Sequence, residues 1–317
     1  MQFTQKLSCK KQRQVRDCKL VLRDCRDKTE DLAQKTNFNK EECCEMKKVI
    51  VFGLVVACTA GGAFAQNDVV MVNSGGSQTK VTAEAAMVSS YVWRGQVYNN
   101  DFVVQPQITL ETYGVSFNIW ANYNAAGADI NGTSSDFSEI DLTLAYTLPF
   151  NLDDVTFDVG VVNYNFPANG NAVTPSTTEL FGVATLLTFK NYIIPSFTLY
   201  GDVDKADGVY MLFDVVAPYQ VSDYFSIEGG ISAGYGNTSY NDYYFNNAVG
   251  GASSSQDAGW NDYNFYANAS YEILDNLTIA ANLTYTMLEG GSIRSAAGNI
   301  YDAKEKVWGG VNLIYDF

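Results

Sequence analysis

The chain has no histidine among its 317 residues, and its six cysteines all lie at or before position 58. The first absence removes the general base of Ser-His and Asp-His machinery, on which hydrolytic barrels of bacterial outer membranes rely. The second leaves residues 66–317 without a disulfide framework or a thiolate metal site, as is usual for a barrel assembled in the periplasm. Basic side chains are scarce as well. Thirteen of the 20 Lys and Arg fall in residues 1–65, so the rest of the chain sets seven basic residues against 27 acidic ones, a formal charge of −20. A surface that acidic argues against a nucleic-acid partner.

Other chemistry fails on context. Asp153 and Asp154 sit in a predicted turn, and Glu139 and Asp141 point the same way from one strand, so neither pair is placed for glycosidase work. The pairs Gly229-Gly230, Gly250-Gly251 and Gly290-Gly291 lack the strand–loop–helix setting of a phosphate loop. Asp202, Asp204 and Asp207 flank a short turn that could attract Ca²⁺, but without a complete ligand loop they read as a solvated turn. The expectation is a protein that is not an enzyme and uses no cofactor or metal.

Four segments divide the chain. Residues 1–45 are polar and carry no sustained apolar period. Residues 46–65 have a basic start at Met46-Lys47-Lys48, an apolar run from Val49 to Thr59, and small residues ending in Ala63-Phe64-Ala65. That is a secretory signal peptide with cleavage expected between Ala65 and Gln66, too short and too punctuated to span a membrane. It makes Met46 the expected true start and residues 1–45 an over-extended reading frame or leader. The sequence Val55-Val56-Ala57-Cys58 is a looser lipoprotein box and the weaker alternative. Residues 66–78 form an Asn/Ser/Gly linker, and residues 79–317 the folded part.

That folded part ends inside a strand. In the closing segment KVWGGVNLIYDF, Val307, Gly309, Val311, Leu313, Tyr315 and Phe317 share one face at period two. An amphipathic final strand is a sticky edge unless it pairs with the first strand of a closed barrel. The ending resembles the C-terminal strand of bacterial outer-membrane β-barrels. Eleven further two-faced segments precede it: 80–93, 102–113, 115–123, 137–148, 155–166, 179–189, 192–203, 209–216, 224–235, 263–273 and 277–287. Most approach the ~9–11 residues that a tilted strand needs to cross a bilayer. Alternation is weakest in 155–166, where Val161-Val162 suggests a bulge.

Loop lengths follow parity. Every other link is short (Gly114, 149–154, 190–191, 217–223, 274–276), and the intervening ones (94–101, 124–136, 167–178, 204–208, 236–262, 288–305) are longer, only 204–208 departing. This segregation belongs to outer-membrane barrels with both termini periplasmic and an even strand count. Aromatics near strand ends, among them Tyr91, Trp93, Tyr113, Tyr164, Tyr192 and Phe317, fit two interfacial girdles. The expected fold is all-β: a transmembrane antiparallel β-barrel of about 12 strands in the bacterial outer membrane.

The block Ser89-Ser90-Tyr91-Val92-Trp93-Arg94-Gly95, with the signal peptide and the terminal Phe, resembles the TorF-type porins of proteobacteria. That resemblance would span residues 81–317 and implies an outer-membrane barrel of porin-like role, without catalytic or ligand residues to transfer. Arg94 and Gly95 read as the end of the first strand.

If the aliphatic face meets lipid, the opposite parity lines the lumen with Glu84, Glu111, Glu139, Asp141, Asp158, Asp202, Asp214, Glu228 and Glu272, with no Lys or Arg in a strand body. Acidic rings concentrate cations. The expected function is a passive, cation-preferring channel for small cationic or neutral solutes. The alternative is a non-conducting structural or adhesive barrel acting through its surface loops, chiefly 236–262. Expected partners are outer-membrane lipid and the barrel assembly machinery.

Overall fold

The computed structural model describes residues 79–150, 152, 154–167, 176–245, 256–289, 291–301 and 303–317. The leader 1–45, the signal segment 46–65 with its Ala65–Gln66 cleavage, the linker 66–78, Asp153 and the pair Gly250-Gly251 lie outside the described residues, as does Gly290.

Among the described residues fourteen strands follow in chain order: β1 (Lys80–Val88), β2 (Tyr91–Trp93), β3 (Gln96–Asn99), β4 (Val103–Thr112), β5 (Val115–Asn124), β6 (Phe137–Thr147), β7 (Val155–Asn165), β8 (Thr177–Leu186), β9 (Ile194–Asp202), β10 (Val209–Ser222), β11 (Phe225–Gly236), β12 (Gly259–Leu274), β13 (Leu277–Leu288) and β14 (Glu305–Asp316). Twelve of them, β1 and β4 to β14, close into one antiparallel barrel in which the last strand pairs with the first, Ala85 facing Leu313 and Thr82 facing Asp316. The sticky terminal edge is thereby paired. The remaining two, β2 and β3, form a separate hairpin.

Period-two alternation does what the pleat requires. On β14, Val307, Val311, Leu313 and Tyr315 are exposed while Trp308, Asn312 and Ile314 are buried; on β5, Val115, Phe117 and Ile119 face out while Ser116, Asn118, Trp120 and Asn122 face in. The outside is aliphatic and the inside polar, the inverse of a soluble sandwich and the arrangement that a lipid-embedded barrel needs. Long and short connections segregate to opposite ends. The ends of β1 and β14 lie with the short turns, of which Tyr113-Gly114, Asp223-Tyr224 and Asp275-Asn276 have two residues each. Below, these are the turn end and the loop end.

Several boundaries differ from expectation. The first strand stops at Val88, not at Trp93, because the chain leaves the wall there and turns inward. Strand β10 runs on through Pro218 to Ser222, so most of the expected 217–223 link is paired wall, with an irregularity between Gln220 and Ser222. Strand β12 starts at Gly259 rather than at 263. Across Val161-Val162 the pairing with β6 and β8 is unbroken, so no bulge is present. Both residues are apolar simply because Val162 packs inside the barrel, in the buried interior cluster.

Candidate functional site

The interior is organised by the hairpin that the sequence hid inside its first strand. Every residue from Ser90 to Asn99 is buried. Strands β2 and β3 pair antiparallel, Trp93 facing Gln96, across a two-residue turn in which Arg94 has φ 45° and Gly95 φ 79°. Positive φ at both central positions gives the hairpin its right-handed twist. Glycine adopts it freely, whereas Arg94 does so at a steric cost. The tip is wedged against the wall: a Cβ on Gly95 would lie 2.4 Å from Leu288 Cδ2 and 2.8 Å from Asp262 Cβ.

Specific bonds hold the insert. Tyr91 Oη donates to Glu139 Oε2 at 2.7 Å, Asn99 Nδ2 donates to Asn124 Oδ1 at 2.8 Å, and Ser90 Oγ closes the hairpin base on the Asn100 carbonyl at 3.1 Å. At the tip, the Arg94 guanidinium makes a forked pair with Glu179, Nη1 to Oε1 at 2.9 Å and Nη2 to Oε2 at 2.8 Å. The two side chains are only 2% and 1% exposed. Tyr164 Oη donates to the same carboxylate at 2.9 Å. The guanidinium carbon lies 4.3 Å from the ring centres of both Tyr200 and Tyr210 and 4.5 Å from that of Trp93, with Tyr240 at 5.8 Å. A planar, weakly hydrated cation suits such a box better than an ammonium does.

Two helices from the long loops complete the filling. Helix α1 (Thr238–Phe245) is capped by Asn237, whose Oδ1 accepts the Tyr240 N–H at 2.9 Å, and it buries Tyr240, Asn241, Tyr244 and Phe245. Helix α2 (Ser292–Ile300) buries Ile293, Ala296 and Ala297, spaced by three and four residues as one helical face must be. Tyr301, just beyond it, donates to the Tyr244 carbonyl at 2.8 Å. Burial pushes the Tyr91, Tyr240, Tyr244 and Tyr301 phenols up. The hairpin, α1 and α2 thus pack a buried cluster, rich in aromatic rings, into the loop half of the barrel interior.

The turn half is different: there, carboxylates and amides bond to one another across the wall. Glu84 accepts from Asn312 at 2.7 Å, Asp158 from Thr147 at 2.6 Å, Asp214 from Tyr266 at 2.7 Å and Glu228 from Asn268 at 2.6 Å. Of the acids expected in the lumen, these four share the inner face with half-buried Glu111. Glu139 and Asp141 are inside as well, but under the hairpin, where Tyr91 occupies Glu139. Asp202 is a loop cap: its Oδ1 accepts the N–H groups of Asp204, Lys205 and Ala206 at 2.8–3.0 Å, and its Oδ2 accepts the Thr177 hydroxyl at 2.6 Å. Asp204 pairs with Lys205 at 3.0 Å. Glu272 has the inner parity but lies exposed at the turn-end rim.

Three corrections follow. Arg94 does not end a strand at the interface; among the described residues it is the one buried cation, and it enters the lumen from an insert rather than from a strand body. Tyr91, Trp93 and Tyr164 belong to the interior and not to a girdle, whereas Tyr113, Tyr192 and Phe317, at 73%, 78% and 77% exposure, lie outside at the turn end. Of residues 94–101, expected as a surface loop, 94–99 are buried in the insert, and Asn100 and Asp101 are exposed. Sequence reasoning missed Glu179, Tyr200, Tyr210 and Tyr240 as partners of Arg94. A signal existed: residues 89–99 break the polar/apolar alternation, and an Arg-Gly pair between Val-Trp and Gln-Val has the form of a hairpin turn.

Residues 81–317 match the family described as MltA-interacting protein MipA. The 89–95 block lies inside that span, and the match is to this family rather than to the TorF-type one. No curated protein matches the chain. Among solved structures, the KdgM porin in complex with disordered oligogalacturonate is 9% identical with a TM-score of 0.44, covering 76% of this chain and 99% of that one. The COG4313 outer membrane channel from Pseudomonas putida F1 is 12% identical with a TM-score of 0.44, covering 78% and 100%. LpxR from Salmonella typhimurium is 8% identical with a TM-score of 0.46, covering 74% and 99%.

Proposed function

Because the chain belongs to the MltA-interacting protein MipA family, and because its barrel has an aliphatic outside and an acidic inside, we propose an outer-membrane, porin-like channel that rests closed. In this reading both termini and the short turns face the periplasm and the loops face outward. The observation that carries it is the division of the lumen. The turn half is lined by hydrogen-bonded carboxylates and amides on a closed barrel wall, and the loop half is filled by an insert tethered at both ends and fixed at its tip by one ion pair. Small solutes pass when the insert withdraws. Glu84, Glu111, Asp158, Asp214 and Glu228 then give the path its preference for cations over anions. The protein has no catalytic role and needs no cofactor or metal; lipid and the barrel assembly machinery are its partners during insertion.

A second reading is a non-conducting scaffold, favoured by the complete burial of residues 90–99. The family's description, which names interaction with MltA, fits that reading: a partner would meet the barrel outside the lumen. Adhesion through 236–262 is less favoured, since α1 in that loop turns its aromatic residues inward.

Planar-bilayer recording separates the readings. The wild-type barrel is expected to be nearly silent, and a barrel lacking residues 90–99 to conduct, with a reversal potential of cation-selective sign under a KCl gradient. Silence of both would leave the scaffold, and an anion-selective sign would refute the lumen assignment. Membrane integration has its own check: the folded protein should need detergent and should migrate faster unheated than boiled in gels.

A further inference from the structure

Arginine is an unusual residue to place at the tip of a two-residue hairpin. With φ 45° at Arg94 the backbone occupies a region that Gly, Asn or Asp would fill at less cost. Strain of this kind persists where the side chain is needed. What that side chain meets is built by the wall itself. Tyr164, Glu179, Tyr200 and Tyr210 come from four consecutive strands, β7 to β10, with Tyr200 and Tyr210 directly opposite each other in the ladder. Tyr240 joins from α1. Remove the hairpin and these five residues remain as a cup: two phenol faces 4.3 Å from the guanidinium centre, a carboxylate aligned for a forked contact, and further ring edges. A forked carboxylate contact and flat faces on a planar cation select guanidinium over a spherical ammonium.

We propose that this cup is a binding site for guanidino compounds, that Arg94 is its tethered occupant, and that a solute bearing a guanidinium group competes for it from the loop end. The inference rests on the closed-channel reading and names the solute class. It is tested by binding rather than by conductance, so either can fail without the other. A tethered ligand has a high effective concentration, so the free site shows its affinity only when the tether is silenced.

The experiment uses the full barrel in detergent. Arg94→Ala is titrated with agmatine, following the temperature at which heat-modifiable mobility is lost, with 1,4-diaminobutane, which carries an ammonium in place of the guanidinium at the same charge and spacing, and KCl at matched ionic strength as comparisons. Agmatine should raise that temperature saturably at millimolar concentration, 1,4-diaminobutane should need at least ~10-fold more, a difference of about 1.4 kcal/mol, and Glu179→Gln in the same background should abolish the effect. No agmatine shift, an equal shift with KCl, or a shift that survives Glu179→Gln would overturn the proposal. If Arg94→Ala does not fold, the wild-type barrel decides: chymotrypsin, whose apolar specificity pocket takes no guanidinium, can cut after Trp93 only when the hairpin leaves the wall, so agmatine should accelerate that cut where 1,4-diaminobutane does not, and an unchanged rate at saturating agmatine would sink the idea.

Discussion

Arg94→Ala is expected to lower the stability of the folded barrel by about 3–5 kcal/mol and to turn a nearly silent barrel into a conducting one. The size follows from what is left behind. Glu179 is 1% exposed and receives both guanidinium nitrogens, so truncation strands a buried carboxylate whose remaining donor is the Tyr164 hydroxyl. Breaking a buried pair from one side costs far more than the pair contributes net, because the partner's desolvation is no longer offset. Three cation–π contacts closer than 5 Å go with it. Arg94→Lys should recover only part of the loss, since an ammonium neither forks nor stacks as a guanidinium does. Glu179→Gln should cost a similar amount from the other side. The double replacement Arg94→Met with Glu179→Leu should restore most of the stability, because apolar side chains of similar volume replace buried ion pairs at little or no cost. The transition temperature of heat-modifiable mobility and urea unfolding in mixed micelles measure these differences. A loss below about 1 kcal/mol for Arg94→Ala would place the pair in the exposed class and remove the latch from the mechanism.

The barrel was legible in the sequence because its two governing patterns are local. Leu277, Ile279, Ala281, Leu283, Tyr285 and Met287 alternate with polar partners whatever the rest of the chain does, and the turn-end links are short because adjacent antiparallel strands need only a tight turn. The plug was not legible in the same way. Tyr91, Val92 and Trp93 continue the greasy character of β1, and a strand that leaves the wall for the lumen trades lipid for aromatic packing without changing its composition. Glu179 illustrates a second limit. Its inner parity can be read from β8, but its partner is 85 residues away on an insert, and a pairing over that separation leaves no periodic trace. Asp202 shows the reverse case: its parity is right, yet local backbone N–H groups claim its oxygens before any solute could.

Charge and shape can be separated at the hairpin tip, and Gly95→Val does so. The substitution leaves Arg94, Glu179 and the aromatic box chemically intact and acts only through backbone and volume. With φ 79°, a β-branched residue pays for the left-handed region, about 1–2 kcal/mol. Its Cβ would also stand 2.4 Å from Leu288 Cδ2 and 2.8 Å from Asp262 Cβ, closer than side chains tolerate. Leu288 is 1% exposed and Asp262 is fully buried, so neither has solvent to retreat into, and overpacking adds about 1–3 kcal/mol. The combined cost rivals the loss of the ion pair. The tip is therefore expected to leave the wall, exposing Arg94 to trypsin and admitting current through the turn-half lumen, while strands β1 and β4 to β14 stay paired and the protein keeps its heat-modifiable mobility. Gly201→Ala is the matched control, since a Cβ there meets nothing within 4 Å; it should change neither the cleavage rate nor the conductance. A Gly95→Val barrel that resists trypsin at Arg94 as the wild type does would mean that the tip is not seated against Leu288 and Asp262, and the closed state would have to be held by the helices instead.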